Sequence, residues 1–316
     1  MKILPKILWI ICGFLIVAGI GLVTRYQLGF GETKKISGIK SFNGINLPTG
    51  AAKLPVKKNG TQEPNIFSHA AYLIDVPTFF TMYAKEENTK VPVASTTKIT
   101  TALVVLENHT DKLQEVVTIT LKMVSVEGSD IQLRAGEKII VENLVNGLLI
   151  MSGNDTAYAL SDYFGGEEKF VAEMNEKVSQ IGVFNTKYQD PAGLDDNGYS
   201  TAHDLAIIAS YALRNQKFAE IVKTPEKTIA STDGKIIHEL KNSNRLLRSE
   251  EPYYFPYTIG VKTGFTDAAG HVLVSGAEKD GHKLLAVVLN TQEDSLTASA
   301  QESKKLLEWG FENWTW

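Results

Sequence analysis

Apolar positions follow three patterns along this chain, and each predicts a different kind of element. The first is continuous. After Lys2 and Lys6, apolar residues and glycines run from Ile7 to Val23, and Arg25 closes the run. At about 17 residues it is barely long enough to span a bilayer and slightly longer than a usual signal-peptide core. Residues 1–24 are therefore expected to be a signal anchor or signal peptide, with the rest of the chain exported. Residues 25–60 show no sustained period and are rich in Gly, Lys, Ser and Asn, which predicts a linker.

The second pattern is short apolar runs between turn residues. Ala70–Asp75 and Phe79–Ala84, around Pro77, predict two strands. Tyr257–Lys262, Val272–Ala277 and Leu284–Leu289 predict three more, and Asp280-Gly281 between the last two is a hairpin signal. The third pattern is helical. From Ser95 to Glu107, apolar Ile99, Ala102, Leu103, Val105 and Leu106 recur at helix spacing. Further helices are predicted near 141–151, 154–164, 167–181, 203–213 and 298–309. Two strands, a mostly helical middle, then three strands and a last helix predict an α+β fold. One antiparallel sheet is built from both chain ends, with a helical lobe inserted in a catalytic domain spanning 61–316.

Composition narrows the function. The 316 residues carry a net charge of −4 and no basic footprint, so nucleic acid is not an expected partner. Six histidines without paired spacing or cysteine companions predict no metal site, and no cofactor is implied. The single cysteine, Cys12, lies inside the apolar run, so the exported part has no internal disulfide.

Three short strings carry the candidate chemistry: Ser95-Thr96-Thr97-Lys98, Ser152-Gly153-Asn154 and Lys262-Thr263-Gly264. A serine hydroxyl needs a base to become a nucleophile. Residues three apart share a helix face, so Lys98 can reach Ser95, and a helix start stabilises developing negative charge. Burial and a second cation, for which Lys262 is placed, would lower the pKa of Lys98 by penalising its charged form, leaving it neutral enough to accept the serine proton. Ser152 can relay a proton, and the Asn154 amide can hold a substrate peptide group. Lys262 and Thr263 at a strand end can meet a carboxylate, and Gly264 lets an extended peptide lie close. Each string alone also reads as a helix cap, a polar turn or a strand end. Ser37-Gly38-Ile39-Lys40 and Ser41-Phe42-Asn43 repeat two of the spacings in the linker, without a helix.

Taken together, the strings are the signature of penicillin-binding proteins and serine β-lactamases. The surrounding sequence resembles the low-molecular-mass penicillin-binding proteins, serine D-alanyl-D-alanine carboxypeptidases. The match runs through Pro92–Ala102, Gln132–Glu137, Leu148–Asp155, Gly193–Asp195, Ser200–Leu205, Gly260–Thr266 and Leu306–Phe311. The resemblance implies that Ser95 is acylated, Lys98 is its base and Ser152 the proton relay. Asn154, Lys262, Thr263, Gly264 and Phe265 would bind substrate, with the Ser95 and Phe265 amides as oxyanion hole. It implies peptidoglycan stem pentapeptides as substrate, β-lactams as covalent inhibitors, and an extracytoplasmic bacterial site at the cytoplasmic membrane.

Two departures stand out. The sequence stops after the last expected helix, so no C-terminal β domain or C-terminal anchor is expected, and the N-terminal segment would replace the anchor. The stretch Asn290–Ala300 has no arginine for the substrate carboxylate, leaving Thr263, Lys262, Arg245 or Arg248. A β-lactamase of one class would need a glutamate between the second and third strings, and Lys177–Ala219 contains none. A transpeptidase or endopeptidase of the same fold, and a silent wall-binding protein, are the remaining alternatives.

Overall fold

The computed structural model describes residues 53–291 and 297–316. The apolar segment at 1–24, most of the linker, the repeated spacings at 37–43 and part of the stretch 290–300 lie outside the described residues. Within the expected linker, β1 (Val56–Lys57) pairs with the last strand of the chain.

Next come β2 (Ala70–Asp75) and β3 (Phe80–Lys85). A 3₁₀ turn at Ala94–Thr97 leads into α1 (Lys98–Leu103), which widens into a π-helical turn at Val104–Asn108. β4 (Val116–Thr118), the short α2 (Leu121–Val124) and β5 (Lys138–Ile140) follow, then α3 (Val141–Asn146), which ends in a second π-helical turn at Gly147–Met151. The helical lobe continues with α4 (Asn154–Tyr163), α5 (Glu167–Ile181), α6 (Ala202–Ala212) and α7 (Gln216–Val222). The hairpin β6 (Glu226–Ala230) and β7 (Ile237–Lys241) leads to β8 (Thr258–Thr266), β9 (Gly270–Lys279) and β10 (His282–Thr291). The chain closes with α8 (Ala298–Asn313) and β11 (Trp314–Thr315).

The main sheet has the order β3-β2-β10-β9-β8, with every pair antiparallel, so both chain ends build it as expected. Its apolar runs are continuous because both faces are covered. Successive strand residues point to opposite faces. Ala70, Tyr72 and Ile74 of β2, with Leu285, Val287 and Leu289 of β10, join the core shared with the helical lobe. Ala71, Leu73, Leu284, Ala286 and Val288 pack instead with Leu306, Leu307 and Trp309 of α8. Asp280 and Gly281 take φ of 52° and 81° between β9 and β10, the left-handed pair that a two-residue hairpin needs. Besides β1–β11, two small sheets are absent from the sequence expectation: β4–β5, whose strands flank α2, and the hairpin β6–β7. Among the described residues, no helix is long and apolar enough to cross a membrane.

Candidate active site

The site lies where the start of the 94–108 helical segment meets strand β8. Ala94 has φ +47°, a left-handed conformation that is uncommon for a residue with a side chain. The Thr96 hydroxyl donates 2.7 Å to the Val93 carbonyl and tightens the same turn. Ser95 thus sits on a sharp turn, partly exposed, directly before a helix. Lys98 follows one turn later and is fully buried. Its Nζ donates to Ser95 Oγ at 2.7 Å, to Asn154 Oδ1 at 2.7 Å and to the Ala192 carbonyl at 3.0 Å.

Three acceptors hold the amine at the serine, and burial lowers its pKa to about 7 against the opposing charges of Asp190 and Asp155. Lys262 comes from the edge strand. It is buried on β8 and donates to the neighbouring Thr263 carbonyl at 3.0 Å. Burial first, and then the charge of Lys98, push its own pKa well below the ordinary value. Burial likewise lowers the Lys98 pKa, and there the charges of Asp190 and Asp155 oppose it.

Ser152 and Asn154 occupy a break between two helices. The helix ending at Met151 stops because Ser152 takes φ 69°, ψ 30°, and α4 restarts at Asn154. Asp155, at the start of α4, accepts backbone N–H bonds from Ile131, Leu133 and Thr156, which ties the preceding 127–133 loop to the site. Desolvation raises the pKa of Asp155, and these three bonds oppose that shift. Asn154 Nδ2 donates 2.5 Å to the Glu127 carbonyl while its oxygen serves Lys98. Its amide is therefore mostly occupied, by the Lys98 amine and the Glu127 carbonyl, and one amide N–H is left over.

Strand β8 brings the third string across Ser95. A Cβ on Gly264 would stand 2.8 Å from the Ser95 amide nitrogen, closer than any side chain tolerates. Thr263 Oγ1 lies 2.6 Å from Ser243 Oγ, a partner that no string in the sequence marks. Phe265 is 53% exposed, its ring against His271 at 4.6 Å. Burial lowers the pKa of His271. Ser95, Ser152, Asn154, Thr263, Gly264 and Phe265 all line one cleft of about 490 Å³; Lys98 and Lys262 lie buried in its wall.

Arg245 and Arg248 line the same cleft. Arg245 holds Glu251 through one nitrogen at 2.8 and 3.0 Å, and Arg248 pairs with Glu251 and, at 3.7 Å, Glu250. Ser243 and these arginines share the segment after β7, whose Ser243 amide donates 2.9 Å to the Ile150 carbonyl near Ser152. Among the described residues, no cluster of three His, Cys, Asp or Glu is arranged to hold a metal.

A sheet covered on both faces, a serine one helical turn from a buried lysine, and a second lysine entering from the edge strand define an active-site-serine enzyme of the penicillin-binding type. The chain belongs to the D-alanyl-D-alanine carboxypeptidase family, whose profile matches residues 57–293. It is 34% identical over 253 residues to the D-alanyl-D-alanine carboxypeptidase DacF of Bacillus subtilis, covering 78% of this chain and 63% of that protein. It is 33% identical over 265 residues to a D-alanyl-D-alanine carboxypeptidase of Streptomyces sp. strain K15, covering 79% and 89%. The structure is similar to that of the Streptomyces K15 DD-transpeptidase, with a TM-score of 0.73 over 79% of this chain and 99% of that one at 33% identity. It is also similar to a D-alanyl-D-alanine carboxypeptidase from Mycobacterium tuberculosis H37Rv, with a TM-score of 0.72 over 81% and 96% at 30% identity. The chain thus spans less than two thirds of the Bacillus relative.

Proposed function

We propose that this chain removes the terminal D-alanine from peptidoglycan stem pentapeptides through an acyl-enzyme on Ser95, and that β-lactams acylate the same oxygen. The observation that carries this reading is the 2.7 Å contact between Lys98 Nζ and Ser95 Oγ, made by a buried amine that is half neutral at about pH 7. Neutral Lys98 takes the Ser95 proton as Oγ attacks the penultimate D-alanine carbonyl carbon. The Ser95 and Phe265 amides receive the oxyanion. Ser152 passes the proton to the departing D-alanine amine. Water then attacks the ester and releases the shortened peptide.

Thr263, fixed by Ser243, together with Arg245 and Arg248, meets the substrate carboxylate, and Gly264 leaves room for the peptide along β8. Lys262 keeps that wall polar. The apolar segment at 1–24 would export the catalytic domain of residues 61–316 and anchor it at the outer face of the bacterial cytoplasmic membrane.

A β-lactamase reading is disfavoured by Asp190, the carboxylate of the inter-string segment whose charge acts on Lys98. Both its oxygens are taken up by backbone N–H groups, so none is free to activate water. Transfer to an amine acceptor is a second reading. A similar Pseudomonas aeruginosa protein is named an endopeptidase, and the Streptomyces structure a transpeptidase.

Intact-mass measurement with benzylpenicillin, on wild type and Ser95→Ala, tests the acylation. An adduct surviving the substitution would sink the assignment. D-alanine release from a diacylated D-Ala-D-Ala peptide, with and without an amine acceptor, tests the reaction. Absence of both hydrolysis and transfer would leave a silent binder.

A further inference from the structure

Asp190 is buried and bonds to none of the reacting residues, yet it organises the wall behind them. One of its oxygens accepts the amides of Ala192 and Gly193 at 2.6 and 2.7 Å, and the other those of Leu194 and Asp195 at 2.9 and 2.8 Å. Four N–H groups converging on one carboxylate leave residues 190–195 a single conformation. That turn then touches the nucleophile segment at three successive points. A Cβ on Gly193, itself at φ +81°, would lie 1.9 Å from the Ala94 carbonyl, so the two backbones are in direct contact beside Ser95. The Ala192 carbonyl accepts from Lys98 Nζ at 3.0 Å. The Pro191 carbonyl accepts from Thr101 Oγ1 at 2.7 Å, one turn further along α1.

We propose that Asp190 is a positioning residue for acylation: by folding this turn it presents the Ala192 carbonyl that fixes Lys98 Nζ on Ser95. This rests on the reading of Lys98 as the base. A second effect has the same origin. Asp190 is the largest charge opposing the desolvation of Lys98, so it keeps the amine from losing its basicity altogether. The other ionisable groups facing this pair are Asp155 and Tyr158 on α4 and Lys262 on β8. Asp155 acts on Lys98 in the same direction as Asp190. Burial raises the pKa of the Tyr158 phenol, and Asp190 adds to the shift. Burial, and then the charge of Lys98, lower the pKa of Lys262.

The test is the pH profile of benzylpenicillin acylation by the full chain in Asp190→Asn and Asp190→Glu. Asp190→Asn removes the charge and turns an amide group toward backbone donors. Its midpoint is expected to fall by about one pH unit, and its plateau rate roughly 10-fold as the amine loses its fixed position. Asp190→Glu keeps the charge but displaces it by one methylene, and is expected to lower the plateau with a smaller midpoint shift. If Asp190→Asn does not fold, Asp190→Glu carries the decision. Wild-type plateau and midpoint in the folded variants overturn the proposal. So does a lowered plateau with an unmoved midpoint in every folded variant, which would make Asp190 merely structural. Lys98→Ala is the control: wild-type acylation there would remove the base assignment itself, whatever the Asp190 variants do.

Discussion

Gly264 lies so close to Ser95 that a Cβ there would stand 2.8 Å from the serine amide nitrogen and 2.8 Å from Val272 Cγ2. The edge strand and the nucleophile turn are thus in backbone contact, and the carbonyl under attack must enter beside that contact. Gly264→Ala is expected to keep the fold, read as an unchanged circular dichroism spectrum. It should slow acylation by roughly 100-fold, because a displacement near 1 Å is enough to misplace the oxyanion donor. Wild-type acylation would show that the strand tolerates a shift.

The activity should follow the titration of Lys98. Its folded pKa is lowered to about 7 by burial, and in the proposed mechanism the neutral form is the base. Acylation therefore rises with pH through about 7 and levels off above it, the opposite of a reaction that needs the ammonium. Stopped-flow acylation between pH 5 and 9 checks this, and a profile falling through pH 7 would contradict it.

Ser243→Ala removes the 2.6 Å partner of Thr263 Oγ1. The Thr263 hydroxyl is then free to rotate, which weakens substrate binding more than chemistry. KM for a D-Ala-D-Ala peptide should rise several-fold, by about 1 kcal/mol for one hydrogen bond, with kcat nearly unchanged. An equal fall in kcat would mean that the pair acts in the transition state.

Arg248→Gln tests carboxylate recognition. Loss of a charge-assisted bond is expected to raise KM for the free-acid peptide roughly 10-fold. The C-terminal amide of the same peptide should be unaffected. If both peptides respond alike, the arginine supports the wall rather than binding the carboxylate.

Asp155→Ala orphans the amides of Ile131, Leu133 and Thr156 in a buried place. A cost of about 3 kcal/mol follows from losing bonds to a charged acceptor. Urea unfolding monitored by circular dichroism measures it, and a loss below about 1 kcal/mol would show that water replaces the carboxylate.

Elements set by local pattern were legible in the sequence. The β2 run, the α5 boundaries and the Asp280-Gly281 turn appear where apolar periodicity and left-handed turn residues placed them. The three strings also identified the residues that meet in the cleft. The β4–β5 and β6–β7 pairs were not legible, because strands of three to five residues, each with one or two buried positions, carry little apolar signal. Nor did periodicity reveal that the 94–108 segment passes from a 3₁₀ turn through α-helix to a π-helical turn. Asp190 could have been suspected, since an aspartate before Pro191 and Gly193 is a turn signal.

The sequence by itself determined the candidate side chains and the local element that bears each of them. Tertiary structure alone decided what surrounds those side chains. Burial lowers the pKa of Lys98 to about 7, and three acceptors, one of them the backbone carbonyl of Ala192, fix its position. Lys262 has its own pKa lowered, by burial first and then by the charge of Lys98. Asn154 turns its oxygen to the base. The physical reason is that desolvation and backbone carbonyls belong to a place in the fold, and a residue's identity in the chain does not encode them.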